Sequence, residues 1–369
     1  MKPLLLNSKI LALKTDLFFV EKIFETYNLS KMDNLKISRG VVLSDDTVAK
    51  QYEGAFKKMF ANEPIPLELL SFPSKEASKS REMKQFLEDE LLKKKCGRDT
   101  LLIACGGGVT TDLVGYLAST YMRGVPLIFI PTTLLAMVDA AIGGKTGVNT
   151  PFGKNSIGAF YPPKAIFIDL HFLKTLPQKE WMNGLAEMAK YGLIANEAHF
   201  EKLEAHPADW QKQDLLRELI LTSIQAKIDV VERDPFETGY RRILNFGHTV
   251  GHALELISDY EMAHGEAVAL GCMAESFLSC HLGYLPKAAL QRILAFYFSL
   301  RFSFKLPKNF TRQTFLDALA SDKKSKGSEI RCTLIDRIGS CIPFEGAYCR
   351  ALEKKDLDAL LDWMESMNG

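Results

Sequence analysis

The feature that most constrains the fold is a short apolar run that ends in three consecutive glycines. Residues 101–105 read LLIAC, residues 106–108 are all glycine, and residues 109–121 have the composition of a helix. In a strand–turn–helix unit, unpaired amides and the helix dipole point at the turn, and glycine lets a phosphate approach the backbone. The pattern therefore predicts a phosphate-binding turn, although the GxGxxG spacing of the usual dinucleotide fingerprint is absent.

A second apolar run, residues 126–130, leads into a polar stretch that is rich in glycine. Between residues 139 and 155 this stretch contains Asp139, Lys145, Lys154 and Asn155. We expect a polar loop at the carboxyl ends of a parallel sheet, where such folds bind ligands, and a solvated surface loop is the alternative. The stretch is not a P-loop, because Asp139 stands where the motif GxxxxGK[ST] requires its first glycine.

Size and composition indicate an ordinary globular protein of two domains. The chain has 369 residues, of which 47% are hydrophobic and 25% charged, and its formal net charge is +1. This charge gives no electrostatic reason to expect nucleic acid or an anionic membrane as a partner. The seven cysteines are scattered and form no CxxC motif, and no uncharged run reaches membrane-spanning length. We expect a reducing compartment, the cytoplasm.

The order of elements predicts two different halves. Strand-like runs at residues 40–44, 67–72, 101–105, 126–130 and 165–170 alternate with helical stretches up to about residue 177. We expect a helix over residues 47–61 and a charged helix over residues 73–95, whereas the segment before residue 40 has a mixed character. From there on the periodicity is mostly helical, as in residues 215–231 and 266–282, with residues 329–334 as a strand-like exception. We therefore predict an α/β domain with a parallel sheet over residues 1–177. A mostly α-helical metal-binding domain follows over residues 178–369, with a cleft between the two.

Three histidines of the helical half indicate a metal site. His248 and His252 are four residues apart on one helix face, and His264 follows twelve residues later. Glu187 is a carboxylate on an otherwise apolar helix face and is a candidate oxygen ligand. A catalytic zinc takes three protein ligands and keeps one open position, but the HExxH motif of the common metalloproteases is absent. From spacing alone, a pair of structural histidines is an equally good interpretation.

Three motifs of the helical half, together with the central stretch, resemble those of the 3-dehydroquinate synthase family. They are GLAEMAKYG at residues 184–192, LNFGHTVGHALE at 244–255 and HGEAVALG at 264–271. With the central stretch, the resemblance runs from about residue 42 to 339. Two positions depart from the family pattern. Lys75 stands where glycine is usual, and Ala140 stands where serine is common.

The resemblance implies an NAD- and zinc- (or cobalt-) dependent lyase of the shikimate pathway. It also implies that the α/β domain of residues 1–177 is a Rossmann-like NAD-binding domain. The substrate of the lyase would be the acidic sugar phosphate 3-deoxy-D-arabino-heptulosonate 7-phosphate, and its products 3-dehydroquinate and phosphate. NAD would oxidise the C5 hydroxyl, phosphate would leave by β-elimination, and the hydride would return. The ring would then open and close again by an intramolecular aldol step. The family is commonly dimeric, which implies a homodimer.

The resemblance also assigns roles to individual residues. Glu187, His248 and His264 would bind the metal, whereas His252 would face the substrate. The substrate carboxylate and phosphate would be held by cations and an amide, namely Arg123, Lys145, Lys154, Asn155, Lys227, Arg241 and Lys323 or Lys324. Substrate hydroxyls would contact Asp139, Glu237 and Asn245. NAD would lie along Asp45, Ser74, Glu76, Lys79, Gly107, Gly108, Val109, Thr110, Thr111, Asp112, Thr132, Thr133, Lys145, Lys154, Phe172, Leu173, Lys174 and Thr175.

Three alternatives remain open at this point. A related cyclase would use the same metal and NAD on another sugar phosphate. A polyol or glycerol-phosphate dehydrogenase would accumulate NADH instead of recycling it. A non-catalytic binding module would keep the fold without turnover. The basic residues Arg241, Lys323 and Lys324, together with Asn245, favour a substrate that carries a carboxylate.

Overall fold

The computed structural model describes residues 4–10, 13–26, 36–302, 304–321 and 329–368. The chain forms two compact units, Met1–Glu180 and Trp181–Gly369. The strands of the first unit are β1 (Leu4–Ile10), β2 (Leu13–Val20), β3 (Arg39–Asp45), β4 (Leu67–Phe72), β5 (Thr100–Gly106), β6 (Leu127–Pro131), β7 (Lys145–Thr150), β8 (Gly153–Phe160) and β9 (Ala165–Asp169). Its helices are α1 (Ile23–Thr26), α2 (Asp46–Gln51), α3 (Glu53–Asn62), α4 (Arg81–Lys93) and α5 (Gly108–Thr120).

Seven of these strands form one sheet in the order β1-β2-β9-β6-β5-β3-β4. All neighbours pair in parallel except β1, which is antiparallel to β2. Every residue of β5, β6 and β9 is buried, as expected for parallel strands covered on both faces. The order β4-β3-β5-β6-β9 is that of a doubly wound fold, which reverses direction between β3 and β5. The predicted α/β unit with a parallel sheet is confirmed.

The polar stretch at residues 139–155 is not a loop, so this prediction was wrong. A π-helical turn at Ala136–Ala140 leads into an antiparallel hairpin of β7 and β8. Glycine allows the two strands to pair, because a Cβ on Gly158 would lie 1.9 Å from the carbonyl oxygen of Thr146. A run of glycine and polar residues has little intrinsic strand propensity, which is why the sequence did not indicate the hairpin.

Two predicted helices of the first unit are broken, and two strands were not predicted. The helix expected from residue 47 to 61 divides at Tyr52 into α2 and α3. The charged helix expected from residue 73 begins only at Arg81, where the Ser80 side chain accepts a hydrogen bond from the Met83 amide. The N-terminal strands β1 and β2 lie in a segment whose mixed character had suggested no element.

The second unit is mostly helical, as predicted. Its helices are α6 (Gln178–Ile194), α7 (Glu197–Ala205), α8 (Gln213–Arg233), α9 (His248–Ile257), α10 (His264–His281), α11 (Lys287–Ser299), α12 (Arg312–Ser321) and α13 (Lys354–Met367). A 3-10 helix spans Tyr240–Asn245. Short strands β10 (Arg331–Cys332), β11 (Ile335–Arg337), β12 (Ser340–Cys341) and β13 (Arg350–Ala351) pair as two small sheets. Among the described residues, no helix combines the length and the apolar character needed to cross a bilayer.

Candidate metal centre and cofactor-binding residues

Three helices of the second unit bring one carboxylate and two imidazoles together. Glu187 lies on α6 and is fully buried, while His248 and His264 are the first residues of α9 and α10. Oε1 of Glu187 is 3.2 Å from Nε2 of His248 and 3.4 Å from Nε2 of His264. One potential ligand atom from each of the three residues lies within 4.8 Å of the other two.

The donor set fits a divalent transition metal. Neither carboxylate oxygen of Glu187 has a hydrogen-bond partner of good geometry among the described residues, although both are buried. Two imidazoles in their neutral form and one carboxylate are ligands that zinc and cobalt accept, and the buried position of Glu187 favours a nearby positive charge. Three protein ligands leave one coordination position open for a substrate oxygen.

His252 lies beside this group without being one of the three. Its ring centroid is 5.2 Å from that of His248 and 6.5 Å from that of His264, and the residue is exposed. The two histidines are therefore neighbours on α9, but only His248 belongs to the set that could share one ion. The spacing of four residues could not distinguish these two roles.

Lys190 is a residue of this site that was not predicted from the sequence. Its Nζ forms an ion pair with Oε2 of Glu187 at 2.5 Å and donates to the carbonyl oxygen of Leu244 at 3.0 Å, and it is almost fully buried. Lys190 follows Glu187 by three residues, a spacing that places both on one face of α6. That spacing was the available signal, and it lay inside the motif GLAEMAKYG.

The buried charges shift one another's pKa in opposite directions. Burial would raise the pKa of Glu187, but the Lys190 ammonium and His248 outweigh burial and hold it well below its ordinary value. Burial and Lys190 lower the pKa of His248. Burial would also lower the pKa of His264, but the carboxylates of Glu187 and Glu255, at 3.4 and 3.6 Å from its ring nitrogens, raise it above its ordinary value. The site therefore favours ionised Glu187, the form that a metal requires.

Asp234 organises the segment that carries three predicted substrate contacts, Glu237, Arg241 and Asn245. Its carboxylate accepts hydrogen bonds from the backbone amides of residues 238, 239 and 241 at 2.9, 2.7 and 3.0 Å. Burial opposes ionisation here, but these hydrogen bonds lower the pKa of Asp234 to about 2. Within the segment, Nδ2 of Asn245 donates to Oε1 of Glu237 at 2.7 Å. Because Lys190 bonds Leu244, the segment is also attached to α6.

The cations predicted in the second unit are buried, contrary to the usual solvated state of charged runs. Arg241 is 1% exposed and Lys227, on α8, is 6% exposed. With Lys190 they make three buried cations in a unit that also holds the candidate metal ligands. Buried cations are stable only with anionic or polar partners, and Nη1 of Arg241 donates to the carbonyl oxygen of Pro235 at 2.6 Å. Lys323 and Lys324 lie outside the described residues.

In the first unit, the residues predicted to bind NAD, apart from Lys145 and Lys154, lie at or just beyond the carboxyl ends of five neighbouring parallel strands. Asp45 ends β3, residues 74–79 follow β4, the glycine turn follows β5, Thr132 and Thr133 follow β6, and residues 172–175 follow β9. Dinucleotides bind at this edge of doubly wound sheets, next to the point where the strand order reverses. The Asp45 side chain accepts from the Val48 amide at 3.0 Å, so it forms the N-cap of α2.

Close packing and ion pairs shape this edge. A Cβ on Gly106 would lie 2.3 Å from Oγ1 of Thr110, and one on Gly107 would lie 3.0 Å from Cγ2 of Thr133. Nζ of Lys79 is 2.5 Å from Oδ2 of Asp112, and both were predicted cofactor contacts. Packing therefore leaves no room for a side chain at Gly106, while Gly107 and Gly108 are partly exposed.

The hairpin carries three of the predicted substrate residues of the first unit and is attached to the segment that follows β4. Lys145 begins β7 and is exposed, while Lys154 and Asn155 lie on β8. Asn149 links the two regions, because its Nδ2 donates to Oε1 of Glu76 at 2.7 Å and its Oδ1 accepts from the Asn155 amide at 3.0 Å.

Three predicted substrate contacts have a backbone conformation that non-glycine residues seldom adopt. The φ angles of Arg123, Asn155 and Glu237 are 66°, 51° and 60°. Such conformations cost about 1–3 kcal/mol each and persist where the surrounding structure determines them, often at binding sites. Asp139, the remaining predicted contact of the first unit, lies in the π-helical turn at Ala136–Ala140.

Comparisons with known proteins agree with these features. The family described as 3-dehydroquinate synthase N-terminal matches residues 69–183, and the family described as 3-dehydroquinate synthase C-terminal matches residues 184–325. The pentafunctional AROM polypeptide of Schizosaccharomyces pombe is 40% identical over 340 residues, which cover 84% of this chain. The chain spans only 22% of the length of that relative.

Two solved structures have the same fold over nearly the whole chain. ValA, a 2-epi-5-epi-valiolone synthase from Streptomyces hygroscopicus subsp. jinggangensis 5008 with NAD+ and Zn2+ bound, superposes with a TM-score of 0.86 and is 29% identical; the match covers 95% of this chain and 97% of ValA. A 2-deoxy-scyllo-inosose synthase, complexed with carbaglucose-6-phosphate, NAD+ and Co2+, has a TM-score of 0.87 and 24% identity, with 97% and 100% covered. The two domain families follow one another without a gap across residues 69–325, and on this evidence the chain belongs to the 3-dehydroquinate synthase family.

Proposed function

We propose that this chain is a 3-dehydroquinate synthase (EC 4.2.3.4). It converts 3-deoxy-D-arabino-heptulosonate 7-phosphate to 3-dehydroquinate and phosphate in the shikimate pathway of aromatic amino acid biosynthesis. The observation that carries the proposal is the group of Glu187, His248 and His264 beside the buried Lys190, inside a unit that matches the C-terminal domain of the family.

The metal would be Zn2+ or Co2+, held by Glu187, His248 and His264. Such an ion supplies a Lewis acid that stabilises negative charge on the oxygen of the hydroxyl being oxidised. Lys190 keeps Glu187 ionised, since its ammonium lies 2.5 Å from Oε2. The presence of Zn2+ and NAD+ in ValA, which shares the fold at 29% identity, supports this choice of metal and cofactor.

NAD would lie along the carboxyl edge of the sheet in the first unit. Its role would be to accept a hydride from C5 of the substrate and to return it later in the same turnover. The accessible backbone of the glycine turn and the amino end of α5 suit a pyrophosphate group. The Lys79–Asp112 ion pair and the 3-10 helix Leu170–Thr175 would border the rest of the cofactor.

The remaining residues would bind and orient a substrate that carries two anionic groups. Oxidation at C5 acidifies the hydrogen on C6; the C6 proton then leaves, the C7–O bond breaks, and phosphate departs with that bonding pair. The leaving phosphate itself can take the proton, so the chain needs to supply positioning and charge rather than a dedicated base. Lys145, Lys154, Lys227 and Arg241 are the cations that we assign to carboxylate and phosphate, and Asp139, Glu237 and Asn245 would bind hydroxyls.

The decisive experiment follows phosphate release from the purified zinc-loaded chain. With 3-deoxy-D-arabino-heptulosonate 7-phosphate and less NAD+ than substrate, we expect equal amounts of phosphate and 3-dehydroquinate, many turnovers per NAD+ and no accumulation of NADH. The matched control is Glu187→Gln, which keeps the side-chain volume but removes the charged ligand. Lack of phosphate release by the zinc- and NAD-loaded chain would contradict the proposal.

The same assay separates the other candidate functions. Cyclisation only of a sugar phosphate without a carboxylate would identify a related cyclase. Steady formation of NADH from a polyol or glycerol phosphate would identify a dehydrogenase. Binding of ligands without turnover of any of these substrates would identify a binding module.

We also propose the domain limits, compartment and assembly. The boundary between residues 177 and 178 is chosen because α6 begins at Gln178 and carries Glu187 and Lys190. All seven cysteines are free thiols, which supports a reducing compartment such as the cytoplasm. A homodimer is proposed from the family resemblance alone, and sedimentation equilibrium of the purified chain tests it.

A further inference from the structure

The two candidate histidine ligands occupy equivalent places in the fold. His248 is the first residue of α9, and His264 is the first residue of α10. The first turn of a helix has backbone amides without partners inside the helix, so the position of its first side chain depends on what binds those amides. α9 and α10 pack closely, since a Cβ on Gly271 of α10 would lie 1.8 Å from the carbonyl oxygen of Gly247.

Glu275, on α10, binds the first turn of α9. Its carboxylate accepts hydrogen bonds from the amides of Gly247, Thr249 and Val250 at 2.8, 3.1 and 3.2 Å, and the residue is fully buried. These amides lie on both sides of His248 in the chain. An ionised carboxylate at a buried helix N-terminus gains from charge-assisted hydrogen bonds and from the helix dipole. Glu275 therefore determines where the backbone of His248 lies.

Glu255, on α9, faces the histidine of α10. Its Oε2 is 3.6 Å from Nδ1 of His264, and the residue is 4% exposed. The other ring nitrogen, Nε2, lies 3.4 Å from Oε1 of Glu187. A carboxylate at Nδ1 selects the tautomer that has its proton there and leaves Nε2 free to bind a metal.

We infer that Glu255 and Glu275 are positioning residues, through which each of the two helices orients the histidine ligand of the other. The inference rests on the metal site of the proposed function. Glu255 acts on the ring of His264, and Glu275 acts on the backbone of His248. The two histidine ligands therefore keep a fixed relative position before an ion binds. This reduces the entropy cost of metal binding.

The affinity of the protein for Zn2+ tests the positioning role of Glu255 and Glu275 directly. We expect Glu255→Gln and Glu275→Gln each to weaken Zn2+ binding by about 10–100-fold, the range found for residues that orient metal ligands. The affinity is measured by competition with a chromophoric chelator, at a temperature where each variant is folded. The visible absorption spectrum of the Co2+-loaded protein should change in position or intensity, because that spectrum reports the arrangement of ligands.

Asp356→Asn serves as a control for loss of stability alone. Asp356 is a fully buried carboxylate at the start of α13, where it accepts from the Glu353 amide at 3.0 Å. We expect this variant to lower the melting temperature without changing Zn2+ affinity or the Co2+ spectrum. If Glu275→Gln does not fold, Glu255→Gln still tests the inference, because its side chain acts on an imidazole and not on a helix amide.

The outcomes separate this inference from the proposed function. If both glutamine variants lower stability but bind Zn2+ as tightly as the unaltered chain, with the same Co2+ spectrum, the positioning role is wrong and the metal site stands. If Glu187→Ala binds Zn2+ as tightly as the unaltered chain, the metal site itself is wrong.

Discussion

At the scale of the residue, the candidate metal site depends on a single buried carboxylate, Glu187. It is fully buried on α6, and Lys190, His248 and His264 offset the cost of burying its charge. In the sequence it was visible as an acidic residue on an apolar helix face. The structure adds that the histidines meet it, which no spacing along the chain could establish.

We predict that Glu187→Ala and His264→Ala abolish turnover while the protein stays folded. Each substitution removes one of three ligands, and a catalytic zinc with two protein ligands is bound weakly. Metal content by atomic absorption and phosphate release are the two measurements, and circular dichroism checks the fold. Full zinc content with full activity in either variant would contradict the assignment.

His199 is a second buried residue with a measurable consequence. Burial lowers its pKa to about 4, Nε2 lies 3.1 Å from the carbonyl oxygen of Met188, and Nδ1 has no hydrogen-bond partner among the described residues. Because the folded-state pKa is depressed, the unfolded chain takes up a proton between pH 6.5 and about 4 while the folded chain stays neutral. Stability is therefore lost as the pH falls through this window.

For the metal-free protein, we predict that this residue lowers the free energy of unfolding by about 2–3 kcal/mol between pH 7 and pH 4. The variant His199→Gln should lack that part of the pH dependence, as measured by urea unfolding at several pH values. His206→Gln, at an exposed position, is the matched control and should behave like the unaltered chain. If the free energy of unfolding has the same pH dependence in His199→Gln as in the unaltered chain, His199 is not the cause of that dependence.

At the scale of elements, the close approach of α9 and α10 decides the geometry of the site. Gly247 has a φ of +78°, and a Cβ there would lie 2.4 Å from Sγ of Cys272. Gly271 faces the carbonyl oxygen of Gly247 without room for any side chain. Both glycines are part of the motifs in the sequence. Glycine is needed at these positions because two helix backbones are in direct contact, which is a feature of the tertiary structure.

We predict that Gly271→Ala destabilises the protein by about 1–3 kcal/mol or more, because the added methyl group must push the two helices apart. The melting temperature and the Zn2+ affinity should both fall. Gly54→Ala is the control: Gly54 lies in α3, and a Cβ added there would have no neighbouring atom within 4 Å, so alanine should be neutral or slightly stabilising. An unchanged melting temperature for Gly271→Ala would show that the contact is looser than described.

The β7–β8 hairpin is the other element with a specific consequence. It presents Lys145 as an exposed cation, while Asn149 attaches the hairpin to Glu76. We predict that Lys145→Ala raises the KM for the sugar phosphate about 10–100-fold, as expected for loss of a hydrogen bond to a charged group. The Kd for NAD, measured by fluorescence titration, should change far less.

Lys58→Ala removes the same charge from an exposed position on α3 and is the control for long-range electrostatic effects. Equal weakening of NAD and sugar-phosphate binding by Lys145→Ala would count against the role assigned to Lys145. The sequence alone assigned Lys145 to the substrate. The hairpin, which the sequence did not indicate, determines how the Lys145 side chain is oriented.

At the scale of the whole molecule, the predicted ligand sets divide between the two units. All predicted NAD contacts lie at or before residue 175, in Met1–Glu180, and the three candidate metal ligands lie in Trp181–Gly369. Each set is formed by several elements of its own unit, so it exists only when that unit is folded. Metal binding is therefore linked to the stability of the chain.

We predict that Zn2+ at about 100 times its Kd stabilises the chain by about 2.7 kcal/mol, which corresponds to a rise in melting temperature of about 3–4 °C. A chelator should reverse the rise. Differential scanning calorimetry with and without the metal is the measurement, and Glu187→Ala should show no rise. An equal rise in that variant would place the stabilising ion elsewhere.

Much of this protein was determined by sequence alone, because the relevant signals are local or follow a motif. Helical periodicity predicted α8 and α10, apolar runs predicted the parallel strands, and the order of Glu187, His248 and His264 identified the family. The glycine turn after β5 was recognisable because its function depends on consecutive residues and on backbone chemistry.

Only the tertiary structure decided the features that depend on residues distant in the chain. The β7–β8 hairpin and the ion pair of Lys79 with Asp112 both arise from packing. So do the contacts of Glu255 and Glu275 with the opposite helix. The physical reason is the same in each case: a buried charge or a glycine acquires its role from partners that only folding brings within a few ångströms.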